Sequence, residues 1–149
     1  MSDVMSPTST DQALEMLTAA LGYLAAADAT EMSAEEQARC LKVLERATAI
    51  GAAARTSTLS AFTSGKGYSA DAQYSAKTWL VYKTGVTKGA AASHTAWMRR
   101  ALEHPAMFAA MAAGDVSEPV ARLLCAPTLR SCCRMSSKAE SNRAECSIA

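Results

Sequence analysis

The sequence predicts an all-α fold: a helical bundle with one long central helix, a helix-turn-helix-like pair and a disordered C-terminal tail. Among its 149 residues, alanine occupies 33 positions, whereas isoleucine occupies two and valine six. Helices tolerate alanine best and strands favour β-branched and aromatic residues, so this ratio excludes a β-sandwich or a parallel sheet. Because aromatic residues make up only 5% of the chain, the core must form where helices approach closely through small side chains.

Composition divides the chain into three segments, of which the middle one has the length of one ordinary domain. Residues 1–10 are rich in Ser, Thr and Pro, and we expect them to be disordered. Residues 11–125 carry helical periodicity and form the predicted helical domain. Over residues 126–149 the apolar periodicity stops and cysteine and serine become frequent, which predicts an irregular tail.

Two helices are predicted in the N-terminal half. Thr10 or Asp11 can cap the first, whose leucines form one apolar stripe: Leu14, Leu17, Leu21 and Leu24. The second begins at Ser33, where S-A-E-E forms a capping box with Glu36. No proline interrupts the chain from there to about Thr63, so a continuous helix would contain roughly 30 residues and measure ~45 Å.

The long helix carries a polar seam beside an alanine-rich stretch. A spacing of about 3.5 residues relates Leu41, Leu44, Thr48, Gly51, Arg55, Thr58 and Phe62, a seam too polar for a free-standing coiled coil. The small residues that let other helices come close are Ala47, Ala49, Gly51, Ala52, Ala53 and Ala54. Such a surface serves internal packing or a homodimer, and the sequence leaves both open.

Two helices joined by a tight turn are predicted next. Ser75 caps the first, which closes at Gly85, and Thr87 caps the second, which runs to about Leu102. On a helical wheel one arc of the second helix is apolar: Ala90, Ala91, His94, Trp97, Met98, Ala101 and Leu102. The opposite arc carries Lys88, Ala92, Ser93, Thr95, Ala96, Arg99 and Arg100. Shorter helices follow around Met107–Met111, ended by Gly114, and after Ser117 and Pro119.

The net charge of +1 is unevenly distributed along the chain. Residues 1–65 hold eight acidic and four basic residues, whereas residues 66–100 hold six basic residues against Asp71 alone. A basic segment of this kind attracts phosphate backbones. It is equally typical of a solvated face that lies next to an acidic segment of the same molecule.

The basic pair of helices has the outline of a helix-turn-helix, whose second helix lies in the DNA major groove. In that arrangement Lys88, Ser93, Arg99 and Arg100 would meet phosphates or base edges, and Lys83 could reach the backbone. These five are the predicted nucleic-acid-binding residues, with DNA as the partner. An αα-hairpin with a solvated basic face gives the same pattern, so that alternative stays open.

No catalytic residue, metal site or cofactor is predicted. His94 lies at the centre of the apolar arc and is interpreted as a core histidine, and His104 does not share its helical face. No nucleophile, phosphate-loop or clustered-carboxylate motif occurs. The five cysteines include no C-x-x-C pair, which argues against a zinc site.

The sequence also predicts the compartment. Uncharged runs reach only about a dozen residues, short of the ~20 that span a bilayer, so no membrane partner is expected. The N-terminus has no basic start followed by an apolar core, so we expect no secretory signal. We expect a cytoplasmic protein.

Ser75–Leu80 (S-A-K-T-W-L) and Thr84–Ala91 (T-G-V-T-K-G-A-A) resemble the signature of the actinobacterial 13E12 repeat family, whose shared region is called domain of unknown function 222. The similarity continues through Arg99–Leu102, Pro105 and Ala112–Ser117. Upstream, L-x-x-L-E-R and the alanine-rich run resemble the family's long helix. The resemblance covers about residues 11–125.

The resemblance implies an association with HNH endonucleases. Family members carry this helical region ahead of a C-terminal module that cuts nucleic acid with a His-Asn-His constellation around a metal. Here Asn142 is the only asparagine and no histidine follows His104, so we expect no enzyme activity. We interpret the segment from Pro127 onward as an out-of-frame or truncated end.

These observations favour a non-catalytic, truncated relative of HNH endonuclease-type 13E12 repeat proteins that binds DNA through its basic pair of helices. Two alternatives remain open. The chain could be a helical interaction module that forms a homodimer through the long helix. It could also be a non-functional remnant of a mobile element that exposes apolar surface.

Overall fold

A computed structural model describes residues 6–126, and every regular element in this range is helical. The helices are α1 (Thr10–Ala26), α2 (Ala34–Ser64), α3 (Ala76–Thr84), α4 (Lys88–Leu102), α5 (Pro105–Ala113) and α6 (Glu118–Leu124), with a 3₁₀ turn at Gly67–Asp71. The all-α prediction is therefore confirmed for the described residues. The predicted tail after residue 126, and the first five residues, lie outside the described range.

The long helix α2 begins and ends where the sequence predicts, and it contains 31 residues. The capping box is formed in both directions: the Ser33 amide donates to the Glu36 carboxylate at 2.9 Å, and the Glu36 amide donates to Ser33 Oγ at 3.3 Å. The chain divides into two compact units, and the boundary lies within this helix: the first unit ends at Leu41 and the second begins at Lys42.

The unit that ends at Leu41 contains α1, and no residue of α1 is buried. Its cap is Ser9, whose Oγ accepts from the Gln12 amide at 3.2 Å, so the predicted cap at Thr10 or Asp11 was wrong by one or two residues. A side-chain oxygen at Ser9 lies the right distance from the third amide of the helix, which is the usual capping geometry. The predicted leucine stripe is exposed at Leu14, Leu17 and Leu21.

The unit that begins at Lys42 has a core of small residues. Ala49, Ala52 and Ala53 of α2 pack in one buried cluster with Trp97, Ala101, Met111, Ala121 and Cys125. These partners come from α4, α5 and from α6 with its C-cap, so three helices rest on the alanine-rich face of α2. Alanine supplies five of the eight buried residues of this cluster, and the others are Trp97, Met111 and Cys125.

The predicted pair of helices is present as α3 and α4. Both caps form as predicted: Ser75 Oγ accepts from the Thr78 amide at 3.2 Å, and Thr87 Oγ1 accepts from the Ala90 amide at 3.1 Å. Gly85 closes α3 with a φ of 72°. The connection between the two helices is therefore as tight as the sequence indicates.

α3 and α4 pack side by side beyond their turn. Ala76 in the first turn of α3 and Met98 in the third turn of α4 belong to one buried cluster, which also contains Leu59 of α2. Ala76 and Met98 both lie at the ends of the helices that are remote from the turn, so α3 and α4 remain in contact there. Helices that crossed at a right angle would have separated by that point. The outer faces of α3 and α4 therefore form one neighbouring surface.

The structure corrects two details in this unit. Leu102 was placed on the apolar arc of α4, but it is 67% exposed, because it is the last residue of the helix and the chain turns away to start α5. The sequence pattern also gave no sign of the 3₁₀ turn. That turn is flanked by Lys66 and Ala72 in the left-handed region, at φ values of 54° and 55°.

Two glycines end helices in the left-handed conformation, and they allow a matched comparison. A Cβ at Gly85 (φ 72°) would meet nothing within 4 Å, whereas a Cβ at Gly114 (φ 77°) would overlap the Arg46 side chain. Arg46 Nη2 also donates to the Ala113 carbonyl at 2.9 Å, a contact that such an overlap would disturb.

We therefore expect Gly85→Ala to lower the free energy of unfolding by about 1 to 2 kcal/mol, the cost of a left-handed alanine. Gly114→Ala should cost at least about 1 kcal/mol more, because Arg46 is displaced and its hydrogen bond is lost. Urea unfolding measures both values. In an Arg46→Ala background the two glycine substitutions should become equally costly; an undiminished difference would contradict the steric explanation.

Candidate nucleic-acid interface

The predicted binding residues of α4 occupy two ridges on its exposed half. Lys88 and Arg99 lie within about 20° of each other around the helix, and this first ridge also carries Ala92 and Thr95. Ser93 and Arg100 form a second ridge, roughly 120° further around. The opposite side of the helix is buried at Ala91, Trp97, Met98 and Ala101. The amphipathic character of α4 is confirmed, with its cations divided between the two ridges.

The first ridge continues onto α3. A cleft of about 470 Å³ separates the start of α3 from α4, and Lys77 and Arg99 both line it. Thr63 and Thr95 also line this cleft, but their hydroxyls donate to backbone carbonyls of their own helices. The groups that the cleft offers to an anion are therefore the two cations. Lys77, Lys88 and Arg99 are exposed, and none of them forms an ion pair with a residue in the described range.

Lys83 lies apart from that ridge, at the end of α3, and is engaged by Asp71. Its Nζ lies 2.6 Å from Asp71 Oδ1, while the Trp79 Nε1–H donates to Oδ2 of the same carboxylate at 2.6 Å. The indole of Trp79 packs on Phe62, with ring centroids 4.7 Å apart. Asp71 thus ties the 3₁₀ turn to α3, and it neutralises one of the predicted DNA contacts.

Ser93, on the second ridge, accepts a hydrogen bond from α6. Arg122 Nη1 donates to Ser93 Oγ at 3.1 Å, and the Arg122 guanidinium lies over the Trp97 ring, 5.1 Å from its centroid. Arg100 is half-buried on the same ridge. Of the five predicted residues, the structure leaves Lys88 and Arg99 exposed on one line and gives Lys83 and Ser93 intramolecular partners.

A polar cluster that the sequence did not predict lies beside the second ridge. Glu118 of α6 accepts from Arg122 Nη2 at 2.6 Å and pairs with Arg55 Nη2 of α2 at 3.3 Å. His94 faces this cluster, and burial together with the neighbouring Arg55 and Arg122 lowers its pKa, against an opposing effect of Glu118. The sequence interpretation of His94 as a core histidine is met only in part, because the residue is half-buried and lies at the edge of the core. The pairings join residues far apart in sequence, so no local pattern could have revealed them.

In residues 6–126 no group of three His, Cys, Asp or Glu side chains is arranged to hold a metal ion. Cys125 is buried and Cys40 is half-buried, both as free thiols. Helices long and apolar enough to cross a membrane are absent from the same range.

Comparison with known proteins adds no relative: no family model, curated protein or solved structure matches this chain. The site must therefore be judged from its own geometry.

The Asp71 carboxylate provides a pH-dependent test of the contact that holds Lys83. The hydrogen bond from Lys83, followed by that from Trp79, lowers the pKa of Asp71 below its ordinary value of 3.8. A lowered carboxylate pKa stabilises the fold above the unfolded-state pKa, and this contribution disappears as the pH falls through the folded-state pKa. Asp71→Asn should therefore destabilise the protein at neutral pH, and this effect should fade as the pH falls below 3.8 and through the lowered folded-state pKa. Thermal unfolding across this range measures the difference, with Asp115→Asn as the control. A difference that stays constant with pH would contradict the ion-pair explanation.

Proposed function

We propose that this protein is a non-catalytic DNA-binding relative of the helical region of the 13E12 repeat family, and that it binds DNA with the outer surface of α3 and α4. The observation that carries the proposal is the first ridge: Lys88 and Arg99 are exposed, unpaired within the described range and aligned along α4. Lys77 adds a third cation from α3, across the cleft from Arg99.

The spacing of these cations suits a phosphate backbone. Eleven residues separate Lys88 from Arg99, which corresponds to about 16 Å along the helix axis. Two cations at this distance can contact separate phosphates, and each contact releases condensed counterions. Since the whole chain has a net charge of only +1, binding must depend on this local arrangement rather than on overall charge.

The predicted residues receive different roles in this proposal. Lys88 and Arg99 contact phosphates, and Arg100 supports them from the second ridge. Lys83 contributes less because Asp71 already neutralises it, and Ser93 anchors α6 through Arg122. No catalytic step is assigned, since the family's cutting chemistry belongs to its HNH module. A cytoplasmic location, as expected from the sequence, gives access to DNA.

Charge removal on the first ridge tests the proposal. We expect Lys88→Ala/Arg99→Ala to weaken binding to a duplex DNA by roughly tenfold or more at moderate salt. The slope of log affinity against log salt should become shallower by about two, one for each lost phosphate contact. Fluorescence anisotropy with labelled duplexes of two unrelated sequences measures both quantities.

The matched control is Arg39→Ala/Lys42→Ala, which removes the same charge from exposed positions of α2. This control should bind nearly as well as the wild type. Equal losses in both variants would indicate a general charge effect and would refute the assignment to α4. Absence of binding in the wild-type chain at low salt would remove DNA as the partner.

Self-association through α2 is a second candidate function, favoured by an exposed apolar stripe. Val43 is 58% and Ile50 41% exposed, and Ala47 and Ala54 continue the same line at helical spacing. The predicted Gly51 lies at the edge of this stripe, and a Cβ there would meet nothing within 4 Å. A larger residue at Gly51 therefore leaves the monomer undisturbed while it blocks close approach of a second helix.

If the α2 stripe forms a homodimer, Gly51→Gln should shift the equilibrium toward monomer in sedimentation equilibrium. Glutamine is a better helix former than glycine, so lower stability cannot explain the shift. Gly22→Gln in α1, where a Cβ also meets nothing within 4 Å, serves as the control and should associate like the wild type. A wild-type chain that is monomeric at every concentration contradicts this function.

A further inference from the structure

The cleft between the start of α3 and α4 is large enough to hold a small molecule. Its volume of about 470 Å³ lies within the range of about 300 to 1,000 Å³ that is typical of small-molecule sites. The most deeply buried residues of its lining are apolar, since Ala76 is 4% and Met98 8% exposed. Ala92 adds a further apolar side chain. The lower part of the cleft therefore suits an apolar group.

The charged groups that line this cleft in the described range are two cations, Lys77 on α3 and Arg99 on α4, and no carboxylate accompanies them. Neither cation forms an ion pair within that range. The hydroxyl hydrogens of Thr63 and Thr95 are donated to carbonyls of their own helices, and Ser75 caps α3. The cleft therefore recognises the polar part of a ligand by its negative charge.

We propose that this cleft binds a phosphate monoester, the group that ends a nucleotide or a 5′-phosphorylated DNA strand, between Lys77 and Arg99. A monoester carries about 1.5 to 2 negative charges at neutral pH, so it can satisfy both cations at once. A phosphodiester within a DNA strand carries a single negative charge. The inference shares Arg99 with the proposed DNA surface, but it does not require duplex binding.

The shape of the cleft favours a terminal phosphate over an internal one. A phosphate inside a duplex is flanked by sugars on both sides, and the duplex lies along the exposed ridge of α4. A monoester has one organic substituent, so its phosphate can enter between the two helices. A bare phosphate ion would leave most of the volume to water, whereas the sugar or base of a nucleotide can cover Ala92 and Met98.

Isothermal titration calorimetry of the full chain tests the cleft with two matched probes. Adenosine 5′-monophosphate and adenosine 3′,5′-cyclic monophosphate share base and sugar, but the cyclic compound is a diester with one charge. At about pH 8, where the monoester is dianionic, it should bind roughly tenfold more tightly than the cyclic diester, which corresponds to one additional charged hydrogen bond.

Single substitutions assign this preference to the cleft. Lys77→Gln and Arg99→Gln should each abolish it, and both residues are exposed, so the fold should tolerate these changes. Lys42→Gln on α2, which removes the same charge from another exposed position, should retain the wild-type preference. An equal loss in Lys42→Gln would indicate a general charge effect and would overturn the site.

Two duplexes of one sequence, with 5′-phosphate or 5′-hydroxyl ends, distinguish the source of the monoester in fluorescence anisotropy. Tighter binding of the phosphorylated duplex, lost in Lys77→Gln, assigns the cleft to strand ends. Equal binding of the duplexes, together with the preference for adenosine 5′-monophosphate, assigns it to free nucleotides.

The two proposals fail separately. If neither the monoester nor the phosphorylated duplex is preferred, the cleft site is refuted, while binding of both duplexes alike would still support the first ridge. If the monoester is preferred but no duplex binds at low salt, the cleft site stands and the DNA-binding proposal is refuted.

Discussion

Burial of the alanine-rich face of α2 with residues of α4, α5 and α6 determines which side of α4 this protein presents to solvent. Ala52 and Ala53 are buried in one cluster with Ala101 of α4, and none of these side chains extends beyond Cβ. A larger side chain at this contact would force the helices apart or strain its rotamer. The contact therefore fixes the rotation of α4 as well as its position.

Because of this rotation, one side of α4 carries buried and half-buried ring side chains and the other side carries exposed cations. Trp97 and His94 point toward the core and α6, whereas Lys88 and Arg99 point outward. The same constraint explains why the basic segment is not uniformly available to a partner. Lys83 belongs to α3, whose packing brings it onto Asp71, and its charge is compensated there. Charge counted along the sequence therefore overstates the charge that one surface can offer.

Local signals made most of the fold predictable. Helix starts at Ser33, Ser75 and Thr87 depend on contacts three residues apart, so the sequence alone contains both partners. The cluster around Glu118 was not predictable, because its hydrogen bond to Arg55 joins residues 63 positions apart. The leucine stripe of α1 shows a related limit: periodicity identifies a face but not what covers it.

The sequence predicted which side chains of the candidate site are exposed better than it predicted which of them have intramolecular partners. A wheel of α4 separates the buried residues from the exposed cations but is wrong at Leu102, which is 67% exposed, and it cannot show which charged residues are paired with a distant carboxylate. The family resemblance is also a property of local sequence, since it depends on the strings around Trp79-Leu80 and Gly89–Ala91. The comparisons with known proteins found no match that would support it. The proposed function therefore depends on the first ridge of α4 and not on the resemblance alone.

The two ridges of α4 differ in their contact with α6, which touches only the second ridge among the described contacts. Arg122 reaches Ser93 on the second ridge, and no described contact of α6 involves Lys88 or Arg99. A DNA backbone along the first ridge would thus leave α6 docked. Ser93 accepts from Arg122 and keeps its own hydroxyl hydrogen, so it can still donate to an acceptor on a base edge while α6 stays in place. The contact with α6 therefore favours the donor role for Ser93, whereas no described contact of α6 restricts Lys88 or Arg99.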